Sequence, residues 1–207
     1  MYISPRHTNE QFPNPPNLEE KVDLFYARID GWHLEIADRC INGWDENGTP
    51  CVTAQHKNEI VHYIPDSGWA VMQIALNYFE IVTVFKQGLT RTKREEMGAR
   101  KRFVEGVKDV FPNECEYYPI IPDLLWKQFR TSMYHTWTKN SRIGLGHVDN
   151  VTCLAYDPKM RYLVVDPHNF VKALRQHLLA YVSLLHNHSQ TELRSKFLIA
   201  YNATYNI

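Results

Sequence analysis

Residues 69–88 read WAVMQIALNYFEIVTVFKQG, and their reading decides the fold. Apolar side chains fall on nearly every face of a 3.6-residue period, so the spacing predicts a helix from about Trp69 to Gln87 that is buried on most sides. Gly88 stands where a left-handed C-cap is expected. Gln73, Asn77, Glu80 and Thr83 interrupt the run, and no stretch of the chain approaches 18 consecutive apolar residues, so a membrane span is not expected. Glu80 is the one acid in this helix. A carboxylate in such surroundings needs a partner if it is buried.

Amphipathic segments lie on either side. Asn17 precedes LEE with Glu20 three residues on, a capping-box arrangement, and Leu18, Val22, Phe25, Ile29, Trp32, Ile36 and Cys40 continue at helical spacing to Asn42-Gly43. Residues 1–16 are polar and proline-rich and read as irregular. Residues 44–67 read as a connection with turns at Asn47-Gly48 and Pro65-Asp66 and a short extended piece near Ile60 to Ile64. Thr92 and Glu95 suggest a second capping box, opening a helix through Val110 whose buried face is Met97, Phe103, Val104 and Val107. Pro112 lies just beyond it.

A further helix is expected over 122–138, PDLLWKQFRTSMYHTWT. The β-branched and aromatic runs Val151 to Tyr156 and Arg161 to Val165, around Asp157-Pro158, predict a β-hairpin. Asp166 at N-cap and Pro167 at N1 open a helix over 167–187. The tail holds another short element near Phe197 to Tyr201. The expected architecture is therefore mainly α: a helical bundle with an inserted β-hairpin, one domain over 17–207.

Composition bounds the function. Lys plus Arg and Asp plus Glu number 23 each, giving zero formal charge, so overall charge does not point to nucleic acid and any such site must come from local clustering. The four cysteines, Cys40, Cys51, Cys115 and Cys153, form no Cys-x-x-Cys pair and read as free thiols in a reducing compartment. MYISPRHTNE lacks an apolar export core. A cytoplasmic protein is expected, without a cofactor and without a membrane.

Arg130 and His135 are the candidate catalytic residues. A histidine titrates near neutrality and can move a proton, while an arginine holds a permanent forked charge against phosphate oxygens. The Arg-x4–6-His spacing recurs at Arg28/His33, Arg142/His147 and Arg161/His168, so spacing alone selects nothing. Position selects. Arg130/His135 follows the acid-bearing apolar helix, whereas Arg28/His33 lies within an amphipathic helix. Five residues on a regular α-helix sweep about 140°, so the two side chains converge only if the helix ends or distorts, or if a partner subunit closes the site. Glu80 is the candidate orienting acid for Arg130, and Thr131 stands beside it. The run Lys86, Arg91, Lys93, Arg94, Arg100, Lys101, Arg102 is the candidate phosphate-tracking surface, with Lys127, Lys139 and Arg142 flanking the motif. His186 and His188 in HNHSQ lack a carboxylate nearby in sequence, so no metal site is expected there.

A long helix with an internal Glu, then FVEGVKDVFP (103–112), then LLWKQFRTSMYHTW (124–137), resembles the HEPN domain superfamily. LVVDPHNFVKALRQHLLAYVSLL (163–185) resembles the strand, proline and helix ending of bacterial HEPN-like proteins. The resemblance covers about 66–187. It implies a HEPN-like helical bundle and a metal-independent endoribonuclease in a toxin or defence role, with Arg130 and His135 catalytic. It also implies a homodimer that brings two such sets together, with an antitoxin-type protein partner and RNA as substrate. Thr131 stands where the superfamily usually carries Asn or His. The alternative reading is a non-catalytic HEPN-like module that binds a nucleotide, RNA or a protein partner. A scaffold without a nucleic-acid role is a third.

Overall fold

The computed structural model describes residues 2–4, 7–8, 16–42, 53–56, 59–62, 68–112, 120–131, 142–146 and 153–205. Within the stretch expected to be irregular, β1 (Tyr2–Ser4) and β2 (His7–Thr8) pair as a short antiparallel ribbon. The predicted capping box is present at the start of α1 (Leu18–Ile29): Glu20 N donates to Asn17 Oδ1 at 3.0 Å, and Asn17 N donates to Glu20 Oε2 at 2.7 Å.

The helix continues to α2 (Glu35–Asn42), but not as one α-helix. Between them, segment π1 (Asp30–Leu34) winds more widely, with Glu35 N donating to Asp30 O. Gly31, the weakest helix former of the run, sits in this widened turn. The expected stop at Gly43 and the turns at 47–48 and 65–66 lie outside the described residues. The extended piece expected near Ile60 is one strand of a hairpin, β3 (Thr53–His56) against β4 (Glu59–His62).

The apolar stretch 69–87 forms α3 (Gly68–Ala75) and α4 (Asn77–Gln87), joined through a turn at Leu76, whose N–H bonds Met72 O at 3.0 Å. Gly88 caps α4 in the left-handed conformation, φ 67°, as expected. By length and composition Gly68–Gln87 could cross a membrane. In the fold it is a core element, with α4 lying along both the helix Ala99–Val110 and the C-terminal helix.

The next helix departs from expectation. Two helices, α5 (Arg91–Met97) and α6 (Ala99–Val110), meet at Gly98, whose φ of 74° breaks the run. Thr90 already occupies the N-cap, so Thr92 lies inside α5 and the Thr92/Glu95 box does not form; Glu95 pairs instead with Arg91 at 3.4 Å. α6 approaches α4 closely at Gly106, where an added Cβ would lie 2.2 Å from Phe79 O. Phe79 meets Phe103, Phe111 and Phe170 edge-on, and Phe25, Phe85 and Phe197 form a second aromatic group in the same core.

The helix expected over 122–138 begins two residues earlier, as α7 (Ile120–Leu124), and passes into a second wide segment, π2 (Leu125–Thr131). Its expected second half lies outside the described residues. The predicted hairpin is β6 (Leu154–Asp157) with β7 (Tyr162–Val165), in register Leu154↔Val165. A third strand joins it: β5 (Ile143–Leu145) runs parallel to β7, giving the order β5-β7-β6. Asp166 caps α8 (Pro167–His186) by accepting from Asn169 N at 3.1 Å. The tail is helical, α9 (Thr191–Tyr205). The described chain is mainly helical with one small three-stranded sheet. Phe25, Met72, Phe79, Phe103, Phe129 and Phe197 are all fully buried within one continuous core.

Candidate functional site

Glu80 is the meeting point of three elements. Its side chain is 15% exposed on α4, so its charge has lost most of its water and must be matched by protein donors. Oε1 accepts from Nε and Nη2 of Arg130 on π2, at 3.2 and 3.1 Å. Oε2 accepts from Nη2 of Arg102 on α6, at 3.3 Å. The pairing expected between Glu80 and Arg130 is therefore present, with Arg102 as a second partner. Gln73 of α3 donates to Phe129 O at 2.6 Å, fixing π2 beside the central helices.

The cationic run 86–102 does not form one phosphate-tracking face. Arg94 turns inward, donating from Nε to Leu89 O at 3.0 Å and from Nη2 to Ala200 O at 3.2 Å and to Thr204 Oγ1. These bonds join the end of α4 to α9. Arg102 also turns inward and donates to Arg94 O as well as to Glu80. Lys86 is bound by Asp109 at 2.6 Å. Arg100 and Lys127 share Asp123, at 2.6 and 2.7 Å. Arg91, Lys93, Lys101 and Arg142 are exposed. Carbonyls at helix ends and single acids decide where each cation points, and linear clustering does not carry that information.

Beside Glu80 opens a cleft of about 290 Å³, bounded by α1, π1, α4 and the last turn of α9. Arg28 and His33 both line it, along with Arg94 and Arg102. The Arg28/His33 spacing, expected within an amphipathic helix, runs from the last turn of α1 into π1. Its i→i+5 winding replaces the divergence of a regular helix and leaves both residues on one wall. The Arg28 guanidinium lies 4.0 Å from the centre of the Tyr205 ring. Among the described residues, no hydrogen-bond partner stands on the His33 imidazole, and burial holds its pKa below the usual value, favouring the neutral ring. Burial, and then the neighbouring Arg102 charge, lower Arg94 from its usual value.

His135 and Lys139 lie outside the described residues, and Thr131 closes π2. The helix bearing Arg130 is wound as a π-segment through Thr131, so the regular α-helix behind the 140° separation does not hold up to that residue.

A second polar cluster carried no signal in the sequence. Tyr78 Oη and His177 Nδ1 are 2.7 Å apart, His177 Nε2 is 3.1 Å from Asp109 Oδ2, and Lys86 Nζ completes the chain. Burial raises Asp109, but bonds from His177 and Lys86 outweigh it and leave the carboxyl below its usual pKa. Four residues from four turns of three helices meet there, and no sequence spacing links them. His186 does have carboxylates near it in space, Glu19 at 3.5 Å and Asp23 at 3.3 Å. Arg194 also holds Glu19, at 2.6 Å. Among the described residues no group of three His, Cys, Asp or Glu side chains is placed to hold a metal ion. No family model, curated protein or solved structure matches the chain.

Proposed function

We propose that this protein is a HEPN-like, metal-independent endoribonuclease in which Arg130 stabilises the reacting phosphate and His135 transfers the proton. The observation that carries the reading is the two-bond tie of Arg130 to Glu80. A guanidinium fixed through Nε and one Nη keeps its remaining N–H groups aimed in one direction, ready for a phosphorane oxygen without further ordering. The neighbouring Arg102 shares the same carboxylate, so two guanidinium groups face one acid and the local charge is positive.

In the proposed reaction the ribose 2′-oxygen attacks the adjacent phosphorus. Its proton passes to His135, the P–O5′ bond breaks, and His135 returns the proton to the departing 5′-oxygen. The products are a 2′,3′-cyclic phosphate and a 5′-hydroxyl end. Need for the 2′-OH makes DNA a non-substrate. A homodimer that brings two such sets together, and an antitoxin-type protein partner, belong to the same proposal. Incubation with RNA in EDTA tests it: cyclic-phosphate ends in the wild type and their loss in His135→Ala are the expected results.

A further inference from the structure

We propose that the cleft beside Glu80 binds a small amphipathic anion: a molecule with an apolar or aromatic body and one anionic head. The proposal does not depend on RNA cleavage.

The head site follows from counting donors. A guanidinium carries five N–H groups. Among the described residues, Arg94 uses three of them, on Leu89 O, Ala200 O and Thr204 Oγ1, and Arg102 uses two, on Arg94 O and Glu80. Five donors therefore remain on two guanidinium groups that line the same cavity. The Arg102 side chain is only 16% exposed, so its remaining donors sit where bulk water is scarce. Among the described residues Glu80 is the single carboxylate lining the cleft, against Arg28, Arg94 and Arg102, and it is shared with Arg130. A carboxylate or phosphate at this end completes the hydrogen bonding and relieves the repulsion between Arg94 and Arg102.

The body site follows from the apolar part of the lining. Ile81, Val84 and Phe85 of α4 line the cleft beside Glu80, and Trp32, 45% exposed, lines it from π1. The volume of about 290 Å³ lies just under the range for small-ligand pockets, of order 300–1,000 Å³, so it suits a small ligand. Apolar side chains offer no partners for the hydroxyls of a ribose, so the lining favours an apolar body over a nucleotide.

The test is calorimetric titration of the full chain with 4-phenylbutyrate, 4-phenylbutan-1-ol and adenosine monophosphate. The expected result is one-to-one binding of phenylbutyrate, with the alcohol at least about tenfold weaker because it cannot form charge-assisted bonds. His33→Glu places a carboxylate in the cleft without touching the arginines, and weakens phenylbutyrate by a similar factor, while His33→Gln does not. Trp32→Ala weakens it severalfold. Failure of phenylbutyrate to bind at millimolar concentration overturns the proposal. Equal binding of acid and alcohol, or tighter binding of adenosine monophosphate than of phenylbutyrate, also overturns it. The wild-type ligand series decides the matter even if a variant does not fold.

Discussion

Arg130 and Glu80, fifty residues apart in sequence, are joined by two hydrogen bonds that converge on one carboxylate oxygen, 3.2 Å from Nε and 3.1 Å from Nη2. The second oxygen of the same carboxylate holds Arg102. One acid thus fixes π2 and α6 to the central helix. Removing it leaves two guanidinium groups facing each other without a counter-charge.

Glu80→Ala is expected to destabilise the fold by about 3 kcal/mol, the scale seen when one partner of a largely buried ion pair is deleted. Denaturant melts measure this. Glu80→Gln keeps the volume and part of the hydrogen bonding, so it is expected to cost less than the alanine. Equal losses in the two variants would show that packing, not charge, is what Glu80 supplies.

Arg130→Lys separates positioning from charge. Lysine retains the positive charge but cannot bond one oxygen through two adjacent N–H groups. With the fold intact by circular dichroism, ribonuclease activity is expected to fall about 100-fold, the scale of losing one preorganised donor. Activity near that of the wild type contradicts a forked role.

Gly106→Ala probes the close approach of α6 and α4. The new Cβ would meet Phe79 O at 2.2 Å and Phe79 C at 2.6 Å, both backbone atoms that cannot swing away. Loss of about 3 kcal/mol or more, or failure to fold, is expected. Gly98→Ala is the control. Nothing lies within 4 Å of its added Cβ, so only the backbone strain of φ 74°, ψ 150° remains, on the order of 1–3 kcal/mol with the fold retained.

His33 gives a pH signature. Burial lowers its folded pKa below the usual histidine value of 6.5, so below that pH the unfolded chain binds a proton that the folded chain resists. Stability is therefore expected to fall as pH drops through the unfolded value, and to level off below the folded one. Asp109 and Glu19, whose folded pKa values are lowered, contribute stability that is lost only at lower pH, as each folded pKa is crossed. Thermal melts between about pH 7.5 and 5.5 are expected to show less loss in His33→Gln than in the wild type. An identical pH profile in the two proteins would contradict a buried His33.

Local chemistry was legible and long-range geometry was not. The Asn17/Glu20 box, the left-handed Gly88 and the Asp166-Pro167 start are each set within a few residues, and the structure has all three. The Thr92/Glu95 box failed because Thr90 starts the helix two residues earlier and Gly98 breaks it. β5 is not legible in the sequence because three residues with a central glycine owe their extended form to a parallel partner, β7, whose paired residues lie twenty positions further on. The same division holds at the site. Glu80 was readable as an acid needing a partner because its helix is otherwise so apolar. The wide turns π1 and π2 were not, since a hydrophobic stripe looks alike in either winding over five to seven residues. Without π1, Arg28 and His33 could not be placed on one wall. Arg94 and Arg102 were read as surface cations because their acceptors, carbonyls at Leu89, Ala200 and Arg94 itself, are invisible to charge patterning.

Incubation of the purified protein with single-stranded RNA in EDTA, with chemical identification of the new ends, decides whether Arg130 and His135 cleave RNA. Fragments ending in 2′,3′-cyclic phosphate, absent from a matched all-DNA strand and lost in His135→Ala and Arg130→Ala variants that still fold, are the predicted result. Intact RNA across varied sequences, or cleavage that survives both substitutions, contradicts it.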